Sequence, residues 1–313
     1  MSQPALPLPE DFDPPIGQAE VIAPGLRRIV APNPSPMTWR GTNTYLLGTD
    51  EIAVIDPGPA DSSHLAAILD ACAGQRIGHI LVTHAHIDHS PLAADLARET
   101  GAPVLAHGDA RAGQSAVMRA LAARGMAGGG EGVDRDFAPT RSLADGETIA
   151  TACGPITAHW TPGHFGNHMC FAWGEAVFSG DLVMGWASSL VSPPDGDLTD
   201  FMASCRRLAA LGAKVLYPGH GKPVDDPKGR ITALLAHREA REAAILAALH
   251  KGPATAATLA AAIYTDTPPA LLPAATRNVF AHLIDLHRKQ RVTPQDELSS
   301  TTRFALTNKI QES

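Results

Sequence analysis

The chain contains few cysteines, and they lie far apart. Cys72, Cys153, Cys170 and Cys205 form no C-x-x-C pair within the 313 residues. This spacing excludes a disulfide framework and a thiolate zinc site. We therefore expect four small, buried side chains in a reducing compartment.

Long apolar runs are also absent. No run of about 20 apolar residues is present that would cross a membrane, and residues 1–18 are proline-rich and acidic rather than apolar. We therefore expect an extended N-terminal arm over 1–18, with no signal peptide, no membrane span and a cytoplasmic location.

Aromatic and charged residues are scarce as well, at 5% and 18% of the chain, and the net charge is −7. This acidic balance excludes a general electrostatic attraction to nucleic acid or to anionic membranes. The hydrophobic share of 44% is that of a globular protein, and 313 residues leave room for one large domain or for two.

Strand-like runs and helical segments alternate in two successive rounds, and the sequence after residue 226 is mainly helical. The pattern predicts strands at residues 20–22, 26–30, 44–47, 52–55, 77–82, 104–106, 147–151, 156–160, 168–172, 176–179, 215–217 and 303–306. It predicts helices at residues 62–73, 88–99, 109–124, 199–210, 231–250, 254–262 and 274–289. We therefore expect a mixed α/β (α+β) protein with a main domain at 19–226 and a small helical or winged-helix-like domain at 227–313.

The densest chemical signal is a cluster of metal-binding side chains that directly follows the apolar run 79–82. His84, His86, Asp88 and His89 lie within six residues. The two-residue period of an extended segment puts His84 and His86 on one side, whereas Asp88 and His89 point elsewhere. Fourteen histidines make some clustering by chance expected, but this alternation favours two neighbouring metal ions that bind imidazole and carboxylate.

Three further candidate ligands follow other predicted strands, each next to a glycine. His164 follows Pro162-Gly163, Asp181 follows Gly180, and His220 follows Pro218-Gly219. A single strand that ends in such a turn is a weak signal. Together the three positions complete a set of seven ligands at strand ends, where open α/β sheets place their sites.

The order of these ligands resembles that of the metallo-β-lactamase fold hydrolases. Asp56 resembles the buried aspartate that supports the metal loop in that family, and residues 276–283 resemble the lactamase-β-2-like subgroup, which carries a C-terminal winged-helix-like domain. The match covers about residues 20–225. At position 160 many relatives have histidine where this chain has tryptophan, but that residue is not a ligand.

The resemblance implies an αββα sandwich whose catalytic domain spans 19–226 and holds two divalent ions. It implies that His84, His86 and His164 bind the first ion, that Asp88, His89 and His220 bind the second, and that Asp181 bridges them. Zinc is the expected metal, with manganese or iron as alternatives.

The expected reaction is hydrolysis by a hydroxide bound to both metal ions. We expect Asp88 and Asp181 to act in catalysis, and His168 either to donate to an oxyanion or to be only a strand residue beside the site. We expect Trp186 and Asn43 to contact the substrate, with a packed structural loop as the alternative for Trp186.

The substrate is left open between two classes. One is a small-molecule thioester, ester or lactone. The other is single-stranded RNA, cut by a metal-dependent endoribonuclease, which the resemblance to the lactamase-β-2-like subgroup supports. Charge adds slightly to this alternative, because residues 228–291 contain nine basic and only four acidic residues. A solvated surface would explain the same bases, and a homodimer is also left open.

Overall fold

The computed structural model describes residues 12–128 and 132–307. Most of the predicted arm, residues 1–11, lies outside the described residues. Its last part packs on the first sheet, where the ring of Phe12 lies 5.0 Å from that of Trp39 and Ile16 forms a bridge with Val30.

The first sheet contains seven strands in the order of the sequence. They are β1 (Glu20–Ala23), β2 (Leu26–Val30), β3 (Asn43–Leu47), β4 (Glu51–Ile55), β5 (Arg76–Leu81), β6 (Val104–Ala106) and β7 (Arg141–Ser142). Strands β1 to β4 are antiparallel neighbours, whereas β4 to β7 run parallel. The parallel half carries helices between its strands, and the histidine-rich loop follows β5.

The second sheet contains five strands in the order β12-β11-β10-β9-β8. They are β8 (Thr148–Ile149), β9 (Ile156–Trp160), β10 (Met169–Trp173), β11 (Ala176–Gly180) and β12 (Val215–Pro218). Only the pair of β11 and β12 is parallel among the described strands of this sheet. His164, Asp181 and His220 therefore follow β9, β11 and β12.

The described residues form seven α-helices, four of which cover the outer faces of the two sheets. They are α1 (Ser62–Ala71), α2 (Leu92–Thr100), α3 (Ala116–Ala123), α4 (Leu198–Ala210), α5 (Pro227–Leu249), α6 (Ala256–Ile263) and α7 (Leu272–Arg288). Residues such as Tyr45 and Phe178 fill the core between the sheets, while separate cores lie under α1 and α2 and under α4 and α5. The predicted αββα sandwich is confirmed.

The C-terminal part contains α5 to α7, a short 3-10 turn at Pro269–Leu271, and a hairpin of β13 (Val292–Pro294) and β14 (Phe304–Leu306). Helix α5 belongs to two cores, since Leu234 packs with α4 whereas Leu249 packs with α6 and α7. Helix α3 of the sandwich also contributes Met118 and Leu121 to this C-terminal core. No helix in the described ranges is long and apolar enough to span a membrane.

Two helices, α2 and α3, begin at least four residues later than the sequence pattern predicts. Residues 88–90 form a hydrogen-bonded turn before α2, in which the His89 N–H donates to the His86 carbonyl over 3.0 Å. Residues 109–114 form a turn rather than the start of α3, because the Ser115 side chain accepts from the Met118 N–H and so sets the N-cap.

Candidate metal centre

The loop after β5 is fixed from below by Asp56, which is 2% exposed at the end of β4. Its Oδ1 accepts a hydrogen bond from the Thr83 N–H over 2.7 Å. Its Oδ2 accepts from the Thr83 hydroxyl over 2.7 Å and from Nδ1 of His89 over 2.9 Å. One buried carboxylate therefore holds both ends of the 83–89 segment.

Three imidazoles converge on one side of this loop. Nδ1 of His86 lies 2.9 Å from Nε2 of His84 and 3.1 Å from Nε2 of His164. The carbonyl of Leu190 only accepts, so Nδ1 of His164 donates to it over 2.8 Å. Nδ1 of His84 lies 3.0 Å from the Thr83 hydroxyl, whose proton is given to Asp56. The Nε2 lone pairs of His84 and His164 therefore point inward, toward Nδ1 of His86, where an ion would be bound by all three nitrogens.

A second group of ligands lies on the other side. Nε2 of His220 is 3.2 Å from Oδ2 of Asp88, and Nε2 of His89 is 3.5 Å from the same oxygen. The opposite nitrogen of His220 donates to the Gly41 carbonyl over 3.2 Å. These outward hydrogen bonds leave each Nε2 directed at the centre of the group.

Asp181 lies between the two groups. Its Oδ2 is 3.3 Å from Nε2 of His220 and 3.7 Å from Nε2 of His164, and its Oδ1 is 3.6 Å from Nε2 of His89. Three sets of three ligand atoms each lie within 4.8 Å of one another: His84 with His86 and His164, His84 with His89 and Asp181, and Asp88 with His89 and His220. The structure thus brings all seven predicted ligands together.

Burial and charge prepare these groups for cations. Burial lowers the pKa of His86 to about 3, helped by His164, and lowers the pKa of His84 and His164 as well. These imidazoles are therefore neutral, the form that binds metals. Burial opposes ionisation of Asp88, but the neighbouring His89 and His220 hold its pKa below the usual range.

Several inward-facing polar atoms have no hydrogen-bond partner among the described residues. They include Oδ1 of Asp88, Oδ1 of Asp181 and Nε2 of His89, all buried. A buried carboxylate oxygen without a partner is costly. Divalent cations would satisfy these atoms, so the donor set fits a metal centre.

Comparison with protein families decides the assignment. Residues 37–220 match the metallo-beta-lactamase superfamily, and residues 255–300 match the beta-lactamase associated winged helix domain. The chain belongs to the metallo-β-lactamase superfamily. It is a hydrolase of that superfamily, whose fold implies divalent metal ions, and it carries a C-terminal winged-helix domain.

Several relatives of this chain are fungal proteins. An atrochrysone carboxyl ACP thioesterase from Aspergillus fumigatus is 30% identical over 275 residues, which cover 82% of this chain and 78% of the relative. The lactamase-like protein adaB from Aspergillus niger is 32% identical over 243 residues, 76% of this chain and 68% of the relative.

Two solved structures resemble most of the chain. A metallo-beta-lactamase family protein from Thermus thermophilus matches with a TM-score of 0.73 and 28% identity, covering 91% of this chain and 100% of that chain. A beta-lactamase domain protein from Burkholderia ambifaria matches with a TM-score of 0.78 and 23% identity, covering 96% of each. The second likeness concerns the fold alone.

Two residues that the sequence assigned to substrate or catalysis lie beneath the centre instead. His168 is fully buried. Its Nε2 accepts from the Asp181 N–H over 3.2 Å, and its Nδ1 lies 3.0 Å from the Thr161 hydroxyl. Asn43 is also fully buried, and its amide donates to the carbonyls of Pro218 and Gly221 on either side of His220, each over 2.9 Å. Both side chains support candidate ligands in this structure, and their predicted contacts with a substrate stay predictions.

Trp186 lies beside Gly221, the residue after His220, and is 8% exposed. Its ring is 5.5 Å from that of Trp39, and both rings line a cavity of about 320 Å³. Trp39 and Trp186 therefore lie on the same wall of this cavity.

Glycines beside the ligands were not assigned a role from the sequence. At Gly180, whose φ is +47°, a Cβ atom would lie 2.6 Å from Nε2 of His168. At Gly219 a Cβ atom would lie 2.4 Å from Oδ1 of Asp181. Their position directly before Asp181 and His220 was the signal that points to them.

Asn167 is another supporting residue that the sequence does not indicate. It is fully buried, and its Oδ1 accepts from the Ala85 N–H over 3.2 Å, between two histidine ligands. Its amide donates to the carbonyls of Gly108 and Asp109. Nothing in the local sequence marks this residue, since it lies 82 positions from the loop that it supports.

Proposed function

We propose that this protein is a metal-dependent hydrolase of small-molecule acyl thioesters. The proposal rests on the convergence of five imidazoles and two carboxylates. Some of their inward-facing atoms have no hydrogen-bond partner among the described residues. A named thioesterase among the relatives supports the substrate class. Esters and lactones remain the nearest alternatives.

We assign one ion to His84, His86 and His164 and a second to Asp88, His89 and His220, with Asp181 shared between them. Two divalent ions bound there would supply Lewis acidity, which lowers the pKa of water and neutralises charge on a substrate oxygen. Zinc suits this mixture of imidazole and carboxylate ligands best, with manganese or iron as alternatives.

The protein's own groups would orient the reaction. Oδ1 of Asp88 is a buried acceptor without a partner among the described residues, and we assign it to orienting the attacking water. His168 acts as a positioning residue, because its Nε2 accepts from the Asp181 N–H and so holds the bridging carboxylate in place. Asn43 positions His220 in the same way through two carbonyls.

A thioester suits this arrangement because its leaving group needs little help. A thiol with a pKa of about 8.5 departs as a thiolate without prior protonation, so a dedicated general acid is not required. The cavity beside Trp39 and Trp186 adjoins His220 through Gly221, since a Cβ at Gly221 would lie 2.7 Å from the Trp186 ring. We assign this apolar wall to the acyl or thiol portion of the substrate.

The ribonuclease alternative receives less support from the structure. Six of the nine bases between residues 228 and 291 are engaged with other parts of the protein, namely Arg230, Arg238, Arg241, Arg277, Arg288 and Lys289. Binding to phosphates would require these charges to face solvent on one side.

The test compares substrates that differ in one atom type. Purified protein is analysed for bound metal and then assayed against a matched acyl thioester, oxygen ester and lactone, and against mixed-sequence RNA at low salt. We expect thioester cleavage to be fastest and to disappear in His86→Ala and Asp181→Asn together with bound metal. Cleavage of RNA with an inert thioester, or full activity in metal-free variants, would overturn the proposal.

A further inference from the structure

The loop that follows Asp181 returns to the metal centre at Leu190. The Leu190 carbonyl accepts the Nδ1 proton of His164 over 2.8 Å. That bond fixes which nitrogen of His164 carries the proton and in which direction Nε2 points. The orientation of one peptide group therefore determines the orientation of a candidate ligand.

The same peptide group is held at its other end by the C-terminal domain. The Val191 N–H donates to Oδ1 of Asn278, in α7, over 3.1 Å. Because a peptide unit is planar and trans, its C=O and N–H point in opposite directions. Asn278 and His164 thus grip opposite ends of the peptide between Leu190 and Val191.

Arg238 of α5 completes the support. Its Nη1 donates to Oδ1 of Asn278 over 3.0 Å, and its Nη2 donates to the carbonyl of Ser189. The side chain is 2% exposed, and its guanidinium lies 5.1 Å from the centre of the Phe201 ring. A charged group buried in this way is costly unless it is hydrogen-bonded, so the bonds to Asn278 and Ser189 constrain the side chain.

We propose that Arg238 and Asn278, here called the C-terminal clamp, are positioning residues for the metal centre. By fixing the 190–191 peptide they hold His164 in the orientation that binds an ion. The role rests on the proposed function, since it requires His164 to be a ligand. It gives the C-terminal domain a part in metal binding although none of the seven candidate ligands comes from it.

The principal test is a metal titration of the metal-free full-length protein. Loss of a group that orients a histidine ligand typically costs about 10- to 100-fold in metal affinity, and we expect Asn278→Ala to weaken zinc binding by about tenfold at the low end of that range. Asn278→Asp keeps an acceptor for Val191 and Arg238, so it should restore most of the affinity.

Matched variants separate this effect from general damage. Thr276→Ala removes a hydroxyl that bonds within α7, to the Leu272 carbonyl, and should bind zinc like the wild type. Arg238→Lys removes the two-pronged guanidinium and should weaken zinc binding. Arg241 stacks on the Tyr264 ring instead, so Arg241→Lys should bind zinc like the wild type. Melting temperatures of the metal-free variants control for folding.

His164→Ala distinguishes the failure of the clamp from the failure of the site. If His164→Ala loses zinc but Asn278→Ala and Arg238→Lys bind it as the wild type does, the clamp is wrong and the metal centre stands. If His164→Ala binds zinc with unchanged affinity and stoichiometry, the proposed centre itself is wrong. Equal weakening by Thr276→Ala and Asn278→Ala would also overturn the clamp.

Discussion

At the scale of single residues, each outward hydrogen bond of a histidine ligand is made by one of three kinds of partner. His89 uses the Asp56 carboxylate, His84 uses a hydroxyl, and His164 and His220 use backbone carbonyls. The ligands themselves were predictable, because imidazole and carboxylate chemistry is visible in the sequence. The carbonyl partners were not, since every residue has a carbonyl and only the fold selects one.

Gly219 provides a sharp test of the centre at this scale. In Gly219→Ala the new methyl group would lie 2.4 Å from Oδ1 of Asp181 and 2.7 Å from Cε1 of His89. Both neighbours are held by other bonds, so we expect metal stoichiometry to fall below that of the wild type, as measured by elemental analysis after dialysis. Gly185→Ala, whose Cβ would lie 3.4 Å from Val224, is the control. Full metal content in Gly219→Ala would contradict this geometry.

His282 makes stability depend on pH. It is 1% exposed in α7, and burial lowers its pKa well below the usual value, with Arg238, Lys289, His237 and Arg241 adding to the effect. The unfolded state therefore binds the proton first, from about pH 6.5 downward, so the folded state loses stability as pH falls through that range and keeps it above.

Replacing His282 should remove this loss of stability at low pH. When the pH falls from about 7.5 to about 5.5, we expect the free energy of unfolding of His282→Leu to rise by about 1.4 kcal/mol relative to that of the wild type. This is the effect of one proton over about one pH unit below the pKa of the unfolded state. Urea unfolding of both proteins at the two pH values measures the change in their difference. His250→Leu, at an exposed position at the end of α5, controls for the loss of a histidine. A difference that does not change with pH would count against a buried neutral His282.

At the scale of helices and strands, the sequence predicted the bounds of elements best where Pro and Gly mark a turn. Strands β9, β11 and β12 are followed by Pro or Gly before a ligand, and all three were predicted close to their observed bounds. The start of α2 was predicted too early, because Asp88 and Ser90 are residue types common at a helix N-terminus, whereas in the structure they belong to the loop before α2. Long-range bonds such as that of Asp56 decide this local conformation, and no local pattern reports them.

Asp197 joins three helices and should be costly to remove. Its Oδ1 caps α4 through the Thr199 N–H over 2.9 Å, and its Oδ2 accepts from Ser115 at the start of α3 and from Arg288 at the end of α7. We expect Asp197→Ala to lower the free energy of unfolding by more than the cap alone, which is worth about 1–2 kcal/mol.

The cap of α5 provides the comparison for this prediction. Asp226 is exposed, and its side chain accepts from the Gly229 N–H at the start of α5. Chemical denaturation should give a smaller loss for Asp226→Ala than for Asp197→Ala. Equal losses would mean that the bonds of Asp197 to α3 and α7 contribute little.

At the scale of the whole molecule, the sequence separates two domains more clearly than the packing does. The composition changes near residue 227, where α5 begins, and the predicted boundary at 226 and 227 stays a prediction. Helix α5 belongs to the core of the sandwich and to the C-terminal core. The change in composition therefore does not mark a place where the two domains lose contact. Composition carries no information on which faces of helices pack together.

Removal of metal should lower the stability of the whole fold. Ions that bind only the folded state stabilise it by about 4.1 kcal/mol when their concentration is about a thousand times Kd, and their loss leaves two carboxylates buried close together. We expect the melting temperature to fall by several degrees after chelation, and to recover when zinc is added back. His86→Ala should show neither response. A melting temperature that is the same with and without chelator would contradict a tightly bound metal centre.

The contribution of α3 to the C-terminal core has a consequence for synthesis of the chain. Met118 and Leu121 leave the ribosome roughly 160 residues before their partner Leu283. At about 5–20 residues per second, this apolar face waits roughly 10 to 30 seconds for its cover. During that interval the growing chain exposes an apolar surface that chaperones or other nascent chains can bind, until the C-terminal helices cover it.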